Sequence, residues 1–136
     1  RYTETPALYL QRKKIQLEKI LQSIRANKKL DFIFLQEADI LTSQRFLTTA
    51  ADIHQYQQLQ SSFAAQLNKL GWYFSTSEQN NKSLATLFNG RTLHPVSNQL
   101  ILNAAGFESE FSHAATRLPV VLVNLQLDAK KDYNAA

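Results

Sequence analysis

Between Leu10 and Gln36 the hydrophobic period changes from helical to consecutive, and that change constrains the fold more than any other feature. Leu10, Leu17, Ile20, Leu21 and Ile24 recur at spacings of three, four and seven, which predicts a helix with one apolar stripe. Thr5-Pro6 supplies its start, with Thr5 as N-cap and Pro6 in the first helical position. Asn27, with Lys28 and Lys29, is expected to end it, Asn27 in left-handed geometry and the lysines against the helix dipole. Phe32 to Gln36 then reads as a buried strand. A helix feeding a buried strand is the grammar of an α/β layer.

The strand leads straight to a carboxylate, Glu37. Residues 43–53 fit more than one state. Tyr56, Leu59, Phe63, Leu67 and Leu70 mark a second helix, which Gly71 terminates. Strand texture follows: Trp72-Tyr73-Phe74, a turn at Asn80-Asn81, and a hairpin return from Ser83 to Phe88. Asn89-Gly90 is a tight-reversal signal. Gln99 to Asn103 is a short strand candidate, and Pro119 to Leu127 is the strongest strand in the chain. There is no internal repeat, low-complexity tract or linker, so residues 1–136 read as a single domain, whole or partial.

Composition narrows the chemistry. Cysteine is absent, which removes disulfides, thiol nucleophiles and thiolate metal sites together. His54, His94 and His113 are scattered without helical pairing, His94 reading as a turn residue and His113 as a loop residue, so a zinc site gains no support. Ser43 and Ser61-Ser62 lack a G-x-S-x-G setting, and three glycines make no phosphate loop. No apolar run is long enough to suggest a membrane span. The net charge of +4 mildly favours phosphate-bearing partners, although Arg12, Lys13, Lys14 and Lys19 read as a solvated helix face. Trp72 and Tyr73 read as core aromatics, with base stacking as the alternative. Asp128 and Asp132, flanking Lys130-Lys131, read as a solvated exit from the last strand, with Asp128 also a candidate support beside a site. With no methionine and Arg1 first, the chain is expected to be a fragment, a processed chain or the visible part of something larger.

Three stretches in this order resemble the endonuclease/exonuclease/phosphatase superfamily, the metal-dependent phosphoesterases of deoxyribonuclease-like fold. KKLDFIFLQEADI, Lys28 to Ile40, is similar to the family's helix–strand unit ending in L-Q-E. SLATLFNGRTL, Ser83 to Leu93, is similar to the strand and turn after its aromatic hairpin strand. LPVVLVNLQLD, Leu118 to Asp128, is similar to its central strand, which ends in a histidine-containing N-x-H-L or T-H-L pattern. The likeness covers nearly all of this chain and about the first half of a family domain.

The resemblance implies an α/β sandwich of two mixed, mostly antiparallel sheets with outer helices. It also implies Mg²⁺- or Mn²⁺-dependent phosphoester hydrolysis by the parent protein, on nucleic acid, a nucleotide, an inositol phosphate or a lipid headgroup. Glu37 falls on the metal-ligand position, Gln126 where a phosphate-contacting histidine is expected, and Asn124 on a phosphate-binding or strand-supporting position. A hard cation held by a carboxylate would offset the charge that protects a phosphoester from attack. The chain departs from the pattern at Gln126, which donates a hydrogen bond but carries no positive charge. The family's G-D-x-N and S-D-H motifs and its first, asparagine-bearing strand are not in this sequence. This chain alone therefore lacks the full catalytic set. A non-catalytic relative or interaction module, binding a protein or a phosphate-bearing ligand, is the alternative expectation.

Overall fold

The computed structural model describes residues 4–44, 46–79 and 82–127. Helix α1, Pro6–Ala26, begins as the sequence predicts: Thr5 caps it by accepting a bond from the Leu8 N–H at 3.2 Å, with Pro6 in the first turn. Its stripe buries Tyr9, Leu10, Lys13, Leu17, Ile20, Leu21 and Ile24. The other end differs from expectation. Asn27 is extended (φ −126°) rather than left-handed, and its side chain instead accepts from the Lys29 N–H at 3.1 Å.

Strand β1, Phe32–Gln36, follows, and helix α2, Ala50–Lys69, opens at a second threonine cap, Thr49, which receives the Asp52 N–H. Of the ambiguous stretch, the described residues before Ala50 lie outside any helix or strand, and the helix starts at Ala50. Gly71 ends α2 with φ +81°, a conformation that costs glycine nothing.

Strands β2 (Trp72–Gln79) and β3 (Lys82–Asn89) form a hairpin whose Asn80-Asn81 turn lies outside the described residues. Strand β3 is the centre of a first sheet of order β1-β3-β2. Strands β4 (Leu93–Ile101), β5 (Gly106–His113) and β6 (Pro119–Leu125) form a second sheet in that order. All the described pairings are antiparallel.

Both faces of β3 are covered. Ile33, Leu35, Ala85, Leu87, Trp72 and Phe74 pack under the two helices. On the other face Phe88 joins Leu93, Phe111, Val120 and Leu122 between the sheets. The order is therefore helices, first sheet, second sheet: an α/β sandwich, with both helices against one sheet.

Several expectations need correction in the second sheet. The strand expected at 99–103 runs from Leu93 to Ile101, and 102–105 is a turn with Leu102, Asn103 and Ala104 all at positive φ. His94 lies in β4 and His113 ends β5, so neither is a loop or turn residue. Strand β6 ends at Leu125 and, among the described residues, pairs only with β5. The reading of Asp128 to Asp132 as a solvated exit falls outside the described residues.

Candidate functional site

Gln36 closes β1, and its side-chain amide donates to the Leu125 carbonyl at the end of β6. The two strands therefore finish at the same end of the sandwich although they belong to different sheets. Asn124 reinforces the junction. Its Nδ2 donates to the Leu35 carbonyl at 3.1 Å and the Ala85 carbonyl at 3.0 Å, bridging β6 to a cross-strand pair of the first sheet.

Glu37 stands just beyond this junction and is exposed. Its backbone is left-handed (φ 52°), and it is Ala38 whose N–H continues the ladder onto the Ser83 carbonyl at 2.8 Å. Glu37 is thus an inserted residue, a bulge that turns its side chain away from the regular strand alternation. A non-glycine residue in this region costs on the order of 1 kcal/mol, held here by what surrounds it.

The surroundings are specific. Asp39 accepts the Tyr9 hydroxyl and, at 2.7 Å, the Lys13 ammonium, both from α1. Tyr56 of α2 reaches the Asp39 carbonyl at 2.6 Å and also lies within 3.3 Å of the Thr42 carbonyl. On the other side Glu78 of β2 accepts from Ser43 at 2.5 Å. Helices and hairpin thus pin the loop that follows Glu37 from three directions. Burial pushes both phenols up; the Asp39 hydrogen bond adds to the rise at Tyr9. At Tyr56, burial with the charges of Asp39 and Glu78 gives a value of about 12.

Gln126 lies one residue past β6 and is half-buried, its N–H donating to the Ala105 carbonyl at 2.8 Å. Its Oε1 is buried without a partner among the described residues, as are Asn124 Oδ1, Thr86 Oγ1 and Ser109 Oγ. The structure thus brings Glu37, Asn124 and Gln126 to one end of the sandwich, with Glu37 outside, Gln126 at the rim and Asn124 fully enclosed.

A Mg²⁺ ion commonly keeps several waters and takes one or two protein carboxylates plus substrate phosphate. Glu37, exposed and without a hydrogen-bond partner among the described residues, fits the part of a single such ligand. Among the described residues no group of three or more carboxylates or histidines stands close enough to form a cage.

Sequence reasoning missed the Tyr9–Lys13–Asp39–Tyr56 cluster. Lys13, read as part of a solvated basic face, is 4% exposed. The signal was there: Lys13 lies three residues after Leu10 and four before Leu17, inside the apolar stripe. Trp72 is core, as read, whereas Tyr73 is exposed.

No family model, curated protein or solved structure matches the chain.

Proposed function

We propose that the protein to which this chain belongs is a Mg²⁺- or Mn²⁺-dependent phosphoester hydrolase of the endonuclease/exonuclease/phosphatase type. Glu37 is the metal ligand, and Gln126 is the residue nearest the phosphate from β6. The observation that carries the reading is the shared end of β1 and β6, held by the Gln36–Leu125 and Asn124–Leu35 bonds. It sets an exposed carboxylate and an amide side chain on adjacent strand ends of two different sheets, an arrangement suited to gripping a ligand between them. Bound there, the metal would supply charge neutralisation at the phosphate. Asn124 serves by support in this reading, because its amide is spent on two carbonyls and its side chain is enclosed.

A second reading has its own observation. Gln126 cannot be protonated, and the described residues offer one free carboxylate at the site, which suits a scaffold that binds a phosphate-bearing ligand or a protein without turning it over.

The deciding experiment uses the full-length protein, with Mn²⁺ or Mg²⁺ and an activated phosphodiester such as bis(p-nitrophenyl) phosphate. Hydrolysis that needs metal and falls at least about 100-fold in Glu37→Gln, with unchanged thermal unfolding, supports the enzyme. Equal hydrolysis in the variant sinks the role of Glu37. Absence of metal-dependent turnover selects the binding scaffold.

A further inference from the structure

At the opposite end of the first sheet, where β1 begins and β3 ends, four cations from four segments line one cavity of about 170 Å³. Arg25 comes from the last turn of α1, Lys28 from the α1–β1 connection, Lys69 from the last turn of α2, and Arg91 from the turn after β3. Asn27 and Asn89 add amides to the wall. The five residues of β1 separate this cavity from Glu37 by roughly 17 Å.

The placement of Arg91 is built into the backbone. Gly90 donates its N–H to the Gly71 carbonyl at 2.8 Å, pressing the β3–β4 turn onto the end of α2. A Cβ at Gly90 would come within 2.7 Å of the Tyr73 ring, and one at Gly71 would meet the Arg91 guanidinium at 3.3 Å. Two of the chain's three glycines are therefore used to lay this guanidinium across the helix end.

The helix dipoles account for part of the charge. Arg25 and Lys69 occupy last turns, where cations are favoured. Lys28 and Arg91 come from connections beside the same two helix ends, Lys28 just past the Asn27 cap and Arg91 against Gly71, so the dipoles favour them too. But two helix ends carry only about half a negative charge each, and four cations leave a clear positive surplus. The nearby acid, Asp31, is engaged by the Thr92 hydroxyl at 2.9 Å and does not line the cavity. The ion pairs of the described residues, Arg12–Glu4 and Lys13–Asp39, lie elsewhere.

We propose that this cavity is a binding site for a compact diphosphate-bearing anion, gripped by Arg25, Lys28, Lys69 and Arg91. Guanidinium and ammonium groups converging from separate segments match several phosphoryl oxygens at once. The cavity admits a small oxyanion, either free or as the tail of a nucleotide. The site is separate from the Glu37 end and does not depend on the function assigned there.

The test is calorimetric titration of the protein with inorganic pyrophosphate at low ionic strength, where such contacts are least screened. Saturable one-to-one binding is expected, weakened at least tenfold by Arg91→Ala and by Lys28→Ala, and unchanged by Lys19→Ala on the exposed face of α1. Lys28 is exposed in a connection, so its variant keeps the test intact should Arg91→Ala fail to fold. Glu37→Gln should bind pyrophosphate as the parent does. No saturable binding overturns the proposal, as does an equal loss in Lys19→Ala, which would reflect net charge alone. Loss in Glu37→Gln with the cavity variants unaffected also overturns it, by moving the anion to the other end. A nucleoside diphosphate binding more tightly than pyrophosphate identifies a nucleotide tail; equal affinity identifies the diphosphate itself.

Discussion

Lys13 Nζ lies 2.7 Å from Asp39 Oδ1, and the lysine is almost wholly enclosed while the aspartate keeps about a third of its side chain in solvent (29%). That asymmetry predicts unequal consequences. Asp39→Ala strands a buried ammonium and the Tyr9 hydroxyl, at a cost of about 3 kcal/mol. Lys13→Met leaves a carboxylate that water and Tyr9 still serve, at about 1 kcal/mol. Urea unfolding should give midpoints in that order with unchanged slopes. The reverse order would mean that the packing of the lysine stem, rather than its charge, holds the loop.

The two phenols of the cluster give the protein an alkaline limit. Tyr56 is raised from its ordinary 10.0 to about 12, and Tyr9 is raised as well, because burial disfavours both phenolates. The folded state therefore holds protons that the unfolded chain has released. The contribution is complete below about pH 10 and is lost as pH rises toward 12. Unfolding midpoints measured from pH 9 to 12 should fall across that window, and Tyr56→Phe should flatten the fall. An equally steep fall in the variant would assign the loss to other groups.

Asn124 makes a sharper electrostatic case. Its Nδ2 faces two carbonyl oxygens at a fully buried position, so Asn124→Asp would aim a carboxylate at them. Such an acid is held neutral, its pKa pushed above the ordinary value of about 3.9. The destabilisation should be small at pH 4 and grow as pH rises, reaching about 3 kcal/mol or more near neutrality. Midpoints compared at pH 4, 6 and 8 check it; a loss independent of pH would mean that the acid is not desolvated there and that lost packing or hydrogen bonding accounts for the change.

What the sequence made legible, and what it hid, follows from the same forces. Helix α1, β1, α2 and the β2–β3 hairpin were readable because period, caps and glycine act locally: Thr5, Pro6 and Gly71 each do alone what they signal. Strand β5 was not. Its inward positions are Phe107, Ser109 and Phe111, and the serine at the centre breaks the apolar alternation that would have marked it. The turn before it hides too, since Leu102 and Ala104 take left-handed geometry without the glycine that usually announces it. Glu37, Asn124 and Gln126 were nameable from a resemblance, but their meeting at one end rests on Gln36 reaching Leu125, a contact spanning 89 positions that no local pattern encodes.

Gly90 supports a prediction about construction. A methyl there meets the Tyr73 ring at 2.7 Å and the Gly71 carbonyl at 3.0 Å, and the carbonyl cannot step aside as a side chain can. Gly90→Ala should cost about 1–3 kcal/mol. Tyr73→Ala, which removes the exposed ring, should recover part of that loss in a double variant. Additive losses would place the obstruction at the backbone alone.

Glu37 carries the conformational cost of its own position. At φ 52° glycine is relieved of the steric penalty that an L side chain bears, and the exposed glutamate makes no compensating packing contact in the core. Glu37→Gly should therefore stabilise the protein slightly, by up to about 0.5 kcal/mol once the greater freedom of unfolded glycine is subtracted from the strain relieved. Glu37→Gln, which keeps the side chain and loses the charge, should leave stability nearly unchanged. If the full-length protein hydrolyses phosphodiesters, both variants should lose that activity together while their unfolding midpoints move apart. That pattern would identify Glu37 as a residue kept at the expense of stability for what its carboxylate binds. A Glu37→Gly variant that is less stable than the parent would instead show that the glutamate helps hold the bulge, and its left-handed backbone would then say nothing about function.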